Sequence, residues 1–118
     1  MAPCQVSIEY DNEITVVKLS GTLEYGNVIS VKTQIENVLK GRHLFVIIDF
    51  QGVTHANSDG LGSIISVNKM QATYGAEIMM INVHGKAKDL IRQCQLDKIL
   101  PIRDLSLAEA KIAILEEL

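Results

Sequence analysis

Residues 44–74 read LFVIIDFQGVTHANSDGLGSIISVNKMQATY, and the division of this stretch decides the fold. Leu44 to Ile48 is an unbroken apolar run, rich in β-branched residues, with Arg42-His43 before it and Asp49 after it. So short a run suits a strand covered on both faces. After Phe50 the composition turns to Gly, Thr, His, Asn, Ser and Asp, residues with turn-forming chemistry. From Leu61 the apolar positions return at helical spacing, at Ile64, Ile65 and Ala72. The stretch therefore reads as buried strand, polar turn and helix. Asn57-Ser58-Asp59-Gly60 falls at the helix N-terminus, where function is expected.

Elementary chemistry makes this corner unusual. Asn and Ser side chains accept hydrogen bonds from the orphan N–H groups of a first helical turn. Asp59 complements the positive end of the helix dipole. Gly60 and Gly62, by contrast, together cost roughly 2 kcal/mol of helix propensity relative to Ala. Their missing β-carbons would let another surface, or the neighbouring strand, approach the backbone. On that reading Gly60→Leu weakens partner binding far more than stability. A hydroxyl at such a terminus can also carry a phosphate, because free N–H groups and the dipole favour an anion there.

Upstream, Val6-Ser7-Ile8-Glu9-Tyr10 alternates like a half-exposed strand, Asp11-Asn12-Glu13 turns, and Ile14 to Leu19 forms the second strand of an antiparallel hairpin. Ser20-Gly21 should end it, and a loop through Asn27 should lead to a helix. That helix buries Val28, Val31, Ile35, Val38 and Leu39 and stops at Gly41. Downstream, Gly75 closes the second helix and Glu77 to Val83 is a further strand. Lys86 to Gln95 is a third helix with Ala87, Leu90, Ile91 and Cys94 on its apolar face. Ile99-Leu100-Pro101-Ile102 reads as a short last strand whose proline belongs at an edge or an end. Ser106-Leu107-Ala108-Glu109 is a capping box opening a C-terminal helix. The fold class is α/β, a mixed β-sheet with an N-terminal antiparallel hairpin in the order β-β-α-β-α-β-α-β-α. The Glu24 loop and the Ser58 turn both follow strands and should share the carboxyl edge, where sites form in open sheets.

The 118 residues suffice for one domain, 1–118, with its own core. A net charge of −3 and the lack of any basic run argue against nucleic acid as partner. No stretch approaches the ~20 apolar residues of a membrane span, and no secretory signal opens the chain, so a cytoplasmic protein is expected. Cys4 and Cys94 lack metal or redox spacing, and Cys94 reads as a small core hydrophobe. Met70, Met79 and Met80 read as core filler, and Lys69, Lys86 and Lys88 as solvated helix faces.

The central segment resembles the signature of the anti-sigma factor antagonist family, the STAS domain proteins: an apolar strand, an Asp-Ser-Ser/Thr-Gly-Leu-Gly turn and a helix. Here the turn is Asn57-Ser58-Asp59-Gly60-Leu61-Gly62, and Gly21-Thr22-Leu23-Glu24 is similar to the family's Gly-x-Leu-Asp stretch. The resemblance covers nearly the whole chain and implies a STAS-like fold with Ser58 as the phosphorylation site. It implies a partner-binding surface of Glu24, Asn57, Ser58, Asp59, Gly60, Leu61 and Gly62. The implied partners are an anti-sigma factor with serine protein kinase activity, released when Ser58 is phosphorylated, and a serine phosphatase that restores the active form. No catalytic residue, cofactor or metal of its own is implied. Asn57 in place of Asp, and Asp59 in place of Ser/Thr, keep the phosphoacceptor but change its electrostatics. The alternative function is a non-cycling STAS scaffold or adaptor subunit of a multiprotein signalling or transport complex.

An enzyme is the third reading. Ser58, His55 and Asp49 could be imagined as a hydrolase triad, but the Gly-x-Ser-x-Gly elbow is missing and His55 lies in the same turn. His43, His55 and His84 show no paired ligand spacing. Neither a Walker A nor a dinucleotide-binding glycine pattern is present.

Overall fold

The computed structural model describes residues 4–118, with the side chains of 25–28 outside the description. Strands β1 (Gln5–Asp11) and β2 (Ile14–Leu23) form an antiparallel hairpin that turns at Asn12, held in the left-handed region at φ 54°. Helix α1 (Tyr25–Lys40) crosses to β3 (Phe45–Ala56), and α2 (Ser58–Tyr74) crosses to β4 (Glu77–Ile81). Then come α3 (Gly85–Gln93), a 3₁₀ turn (Leu96–Lys98) and α4 (Leu107–Glu117). The four-stranded sheet has the order β1-β2-β3-β4, with β2, β3 and β4 parallel. The mixed sheet with its N-terminal hairpin is the expected fold class.

The apolar run in β3 is explained by layers on both faces. Val46, Ile48 and Phe50 join Val17, Leu19, Ile78 and Met80 beneath α1, α2 and α3. Ile47 points the other way and joins Ile14, Val16, Met79 and Ile81 beneath α4 alone. Successive strand side chains alternate faces, so a strand buried on both sides must be apolar throughout. Met79 and Met80 are core residues, one on each face.

Several boundaries differ from the sequence reading, each for a tertiary reason. Ser20-Gly21 does not end β2, and Phe50 does not end the third strand. The two continue side by side, Ser20 opposite Gly52 and Leu23 opposite Ala56, with two irregularities in register. Bulges of this kind break the two-residue alternation, so only Val53 and Ala56 of 51–56 are buried and the extension has the composition of a loop. Gly52 makes the pairing possible: a β-carbon there would meet Ser20 Cβ at 2.8 Å and the Leu19 carbonyl oxygen at 2.9 Å. No loop through Asn27 precedes α1, which starts directly after Glu24. Val31, Ile35, Val38 and Leu39 face the core as expected, while Val28 lies outside the described side chains. The helix does stop at Gly41 as expected, and the left-handed residue follows it at Arg42, φ 67°.

Strand β4 stops at Ile81 because Asn82 turns left-handed, φ 57°. Cys94 is exposed at the end of α3, not buried in its apolar face. The last strand is reduced to one parallel bridge, Ile102 beside Met80, in which Met80 N–H donates to the Pro101 carbonyl and Arg103 N–H to the Met80 carbonyl. Pro101 thus supplies an acceptor and needs no donor, as an edge position allows. The capping box of α4 is complete in both directions, Ser106 and Glu109 bonding each other's backbone N–H at 3.0 and 3.1 Å.

Candidate functional site

The extension of β2 and β3 sets the site at the carboxyl edge of the sheet. Asn57 N–H donates to the Leu23 carbonyl at 3.2 Å, so the start of α2 is tied to the end of β2 beside Glu24. Asn57 is the N-cap of α2: its Oδ1 accepts from Gly60 N–H at 3.0 Å, and its carbonyl accepts the first helical bond from Leu61. The cap lies one residue before Ser58. The Ser58 hydroxyl therefore has no capping duty; it is exposed and makes no hydrogen bond among the described residues. The N–H groups of Ser58 and Asp59 likewise find no acceptor among the described residues, which leaves the first-turn donors that favour an anion. Asp59 is exposed next to them.

The two glycines divide the alternatives that the sequence left open. A β-carbon on Gly60 would stand 2.1 Å from the Leu23 carbonyl oxygen, so this glycine lets the neighbouring strand pass. Gly60→Leu consequently strikes the fold first, contrary to the sequence expectation, and is no test of binding. Gly62 is exposed and a β-carbon there meets nothing within 4 Å. Leu61 is buried in the core between them, so Gly60 and Leu61 shape the turn and offer no side chain to a partner. Glu24 is half-buried as the N-cap of α1, and its carboxylate makes no capping bond.

The imagined triad does not assemble. The Asp49 carboxylate, 7% exposed, accepts from Gln51 N–H and Asn82 Nδ2, both at 2.9 Å, and among the described residues no hydrogen bond joins it to His55 or Ser58. Its duty is to pin the exit of β4 to β3. That link was missed from the sequence because Asn82 is distant in the chain and looks like any loop residue. His84 contacts the Gln51 carbonyl at 3.0 Å, and the His43 ring lies tilted against that of Tyr10, with ring centroids 4.7 Å apart. A second unforeseen link, Tyr74 hydroxyl to Glu36 at 2.6 Å, ties α2 to α1 behind the site and raises the tyrosine pKa, chiefly through that hydrogen bond. No group of His, Cys, Asp and Glu among the described residues is placed to hold a metal, and no described helix is long and apolar enough to cross a membrane.

The chain with this hairpin, these parallel strands and this serine turn matches the model of the STAS domain over residues 5–110. The chain belongs to the STAS domain family. An anti-sigma F factor antagonist of Paenibacillus polymyxa is 26% identical over 101 residues, 85% of this chain and 86% of that protein. The crystal structure of an anti-sigma factor antagonist from Mycobacterium paratuberculosis superposes with a TM-score of 0.80 at 19% identity, covering 93% of this chain and 92% of that one. The Bacillus cell fate determinant SpoIIAA in its phosphorylated form gives 0.73 at 16% identity, covering 93% and 99%. At these last two identities the likeness is one of fold.

Proposed function

We propose that this chain is an anti-sigma factor antagonist, a non-enzymatic docking protein switched off by phosphorylation at Ser58. The observation that carries the reading is the Ser58 hydroxyl, exposed at the start of α2 and relieved of capping by Asn57. Glu24, Asn57, Ser58, Asp59 and Gly62 form the docking surface, and Gly60 and Leu61 hold its shape. The partner is an anti-sigma factor with serine kinase activity, which supplies the phosphoryl chemistry, and a serine phosphatase reverses it. In support, the matched relative is named an anti-sigma F factor antagonist, and one structural neighbour is a phosphoprotein of the same fold.

The phosphate of about −2 charge meets roughly 1 kcal/mol of screened repulsion from Asp59 at about 6 Å. The helix terminus returns about 0.3–1 kcal/mol. The two effects nearly cancel, so phosphorylation proceeds slowly. The test is an ATP time course with the anti-sigma factor of the same organism, read by intact mass, with a binding titration alongside. Wild type gains one phosphate and loses affinity, Ser58→Ala gains none, and Asp59→Ser is modified several-fold faster. Labelling of Ser58→Ala would show the acceptor to be elsewhere. The exposed Asp59 carboxylate beside the hydroxyl favours the second reading, a non-cycling adaptor, which predicts binding to a partner with no phosphate gained.

A further inference from the structure

We propose that the cavity on the outer side of β4 binds a small amphiphilic anion, a phosphate or carboxylate head on an apolar body. The cavity holds about 310 Å³, within the range of small-molecule sites. Its apolar wall is Val83, Ile91 and Ile102, and its cations are Lys88, Arg92 and Arg103. Asp97 and Asp104 complete the lining and leave one positive charge in excess. None of these five charged side chains has an ion-pair or hydrogen-bond partner among the described residues. Two guanidinium forks and an ammonium around one space match an anionic head, which guanidinium binds in bidentate fashion. The two carboxylates oppose any extended polyanion at the same mouth, so the ligand is small.

The walls are built before a ligand arrives. Asn82 lines the cavity with its side chain fixed on Asp49, and the segment bearing Arg103 is bonded to Met80 from both sides. Such preorganisation lowers the cost of binding. The place is the carboxyl end of β4, where open α/β sheets receive ligands. No lining residue belongs to the Ser58 surface, so this site stands or falls independently of the docking reading.

Amide-resolved NMR titration of the full chain tests it, with phenyl phosphate, benzoate and inorganic phosphate as probes. Phenyl phosphate or benzoate at about 1 mM should shift the amides of Val83, Ile91 and Ile102, and the stronger of the two identifies the head. Inorganic phosphate, lacking the apolar body, should bind more weakly. Arg92→Gln with Arg103→Gln should lose at least about tenfold in affinity, Lys69→Gln on α2 should change nothing, and Asp104→Asn should tighten binding several-fold. Absence of shifts at the cavity with every probe, equal binding by the arginine double variant, or equal binding of inorganic phosphate would overturn the proposal. Because the exposed Asp104 can be exchanged without touching the core, its gain in affinity is readable even if the double variant is unstable.

Discussion

Gly60 lies under the Leu23 carbonyl and Gly62 lies open to solvent, two positions apart in the first turns of one helix. A methyl on Gly60 would run into the Leu23 carbonyl group and Cβ, none of which can swing aside, so Gly60→Ala should cost about 1–3 kcal/mol of overpacking. At Gly62 the same methyl adds helix propensity and should stabilise by about 0.5–1 kcal/mol. Thermal unfolding of both variants checks this, and equal melting shifts would contradict the geometry. Propensity alone could flag both glycines as costly, but it could not say which one the fold requires. That depends on a carbonyl more than thirty positions away in the chain. At Ser58 the sequence showed a candidate hydroxyl, and the structure added its freedom, because the cap is Asn57.

Helix α4 illustrates what an element owes to its ends. Its first turn is locked by the Ser106–Glu109 box, whose hydrogen bonds from the Ser106 backbone and side chain hold the Glu109 carboxyl below its ordinary range. Near its other end Glu117 reaches Glu77 at the start of β4, and that hydrogen bond, followed by desolvation and repulsion, raises the Glu77 pKa. A raised carboxyl pKa means that the folded state holds the proton more tightly than the unfolded chain. The contribution is complete below the ordinary glutamate value and is lost as pH rises through the folded value. Glu117→Gln removes the repulsion and offers the Glu77 carboxylate an amide N–H donor, so its urea midpoint should fall less than that of wild type from about pH 5 to about pH 8. Parallel curves would show that the pair does not couple. The box was legible, since its residues are three apart. The Glu77 pair was not, since only the fold brings residues from β4 and α4 together.

For the whole molecule the unequal covering of the sheet matters most. Three helices share one face, whereas α4 alone shields Ile14, Val16, Ile47, Met79 and Ile81. Ile114, 0% exposed at the centre of that layer, has no neighbouring helix to close a gap, so Ile114→Ala should cost about 2–5 kcal/mol. Leu115, 53% exposed one position further along the same helix, should tolerate Ala within about 0.5 kcal/mol. Denaturant unfolding of the two variants compares them directly, and similar losses would mean that α4 packs differently. Local pattern by itself determined the hairpin, the buried third strand, the presence of the helices, the capping box of α4 and the candidate serine, because periodicity and capping chemistry act between residues a few positions apart. Only the tertiary structure decided that β2 and β3 run on past Ser20 and Phe50, that the last strand shrinks to a bridge, that Gly60 is structural, and that Lys88, Arg92 and Arg103 surround one cavity. Each of these rests on a contact between distant segments, and bulges, glycine approaches and shared cavities leave no period in the chain that makes them.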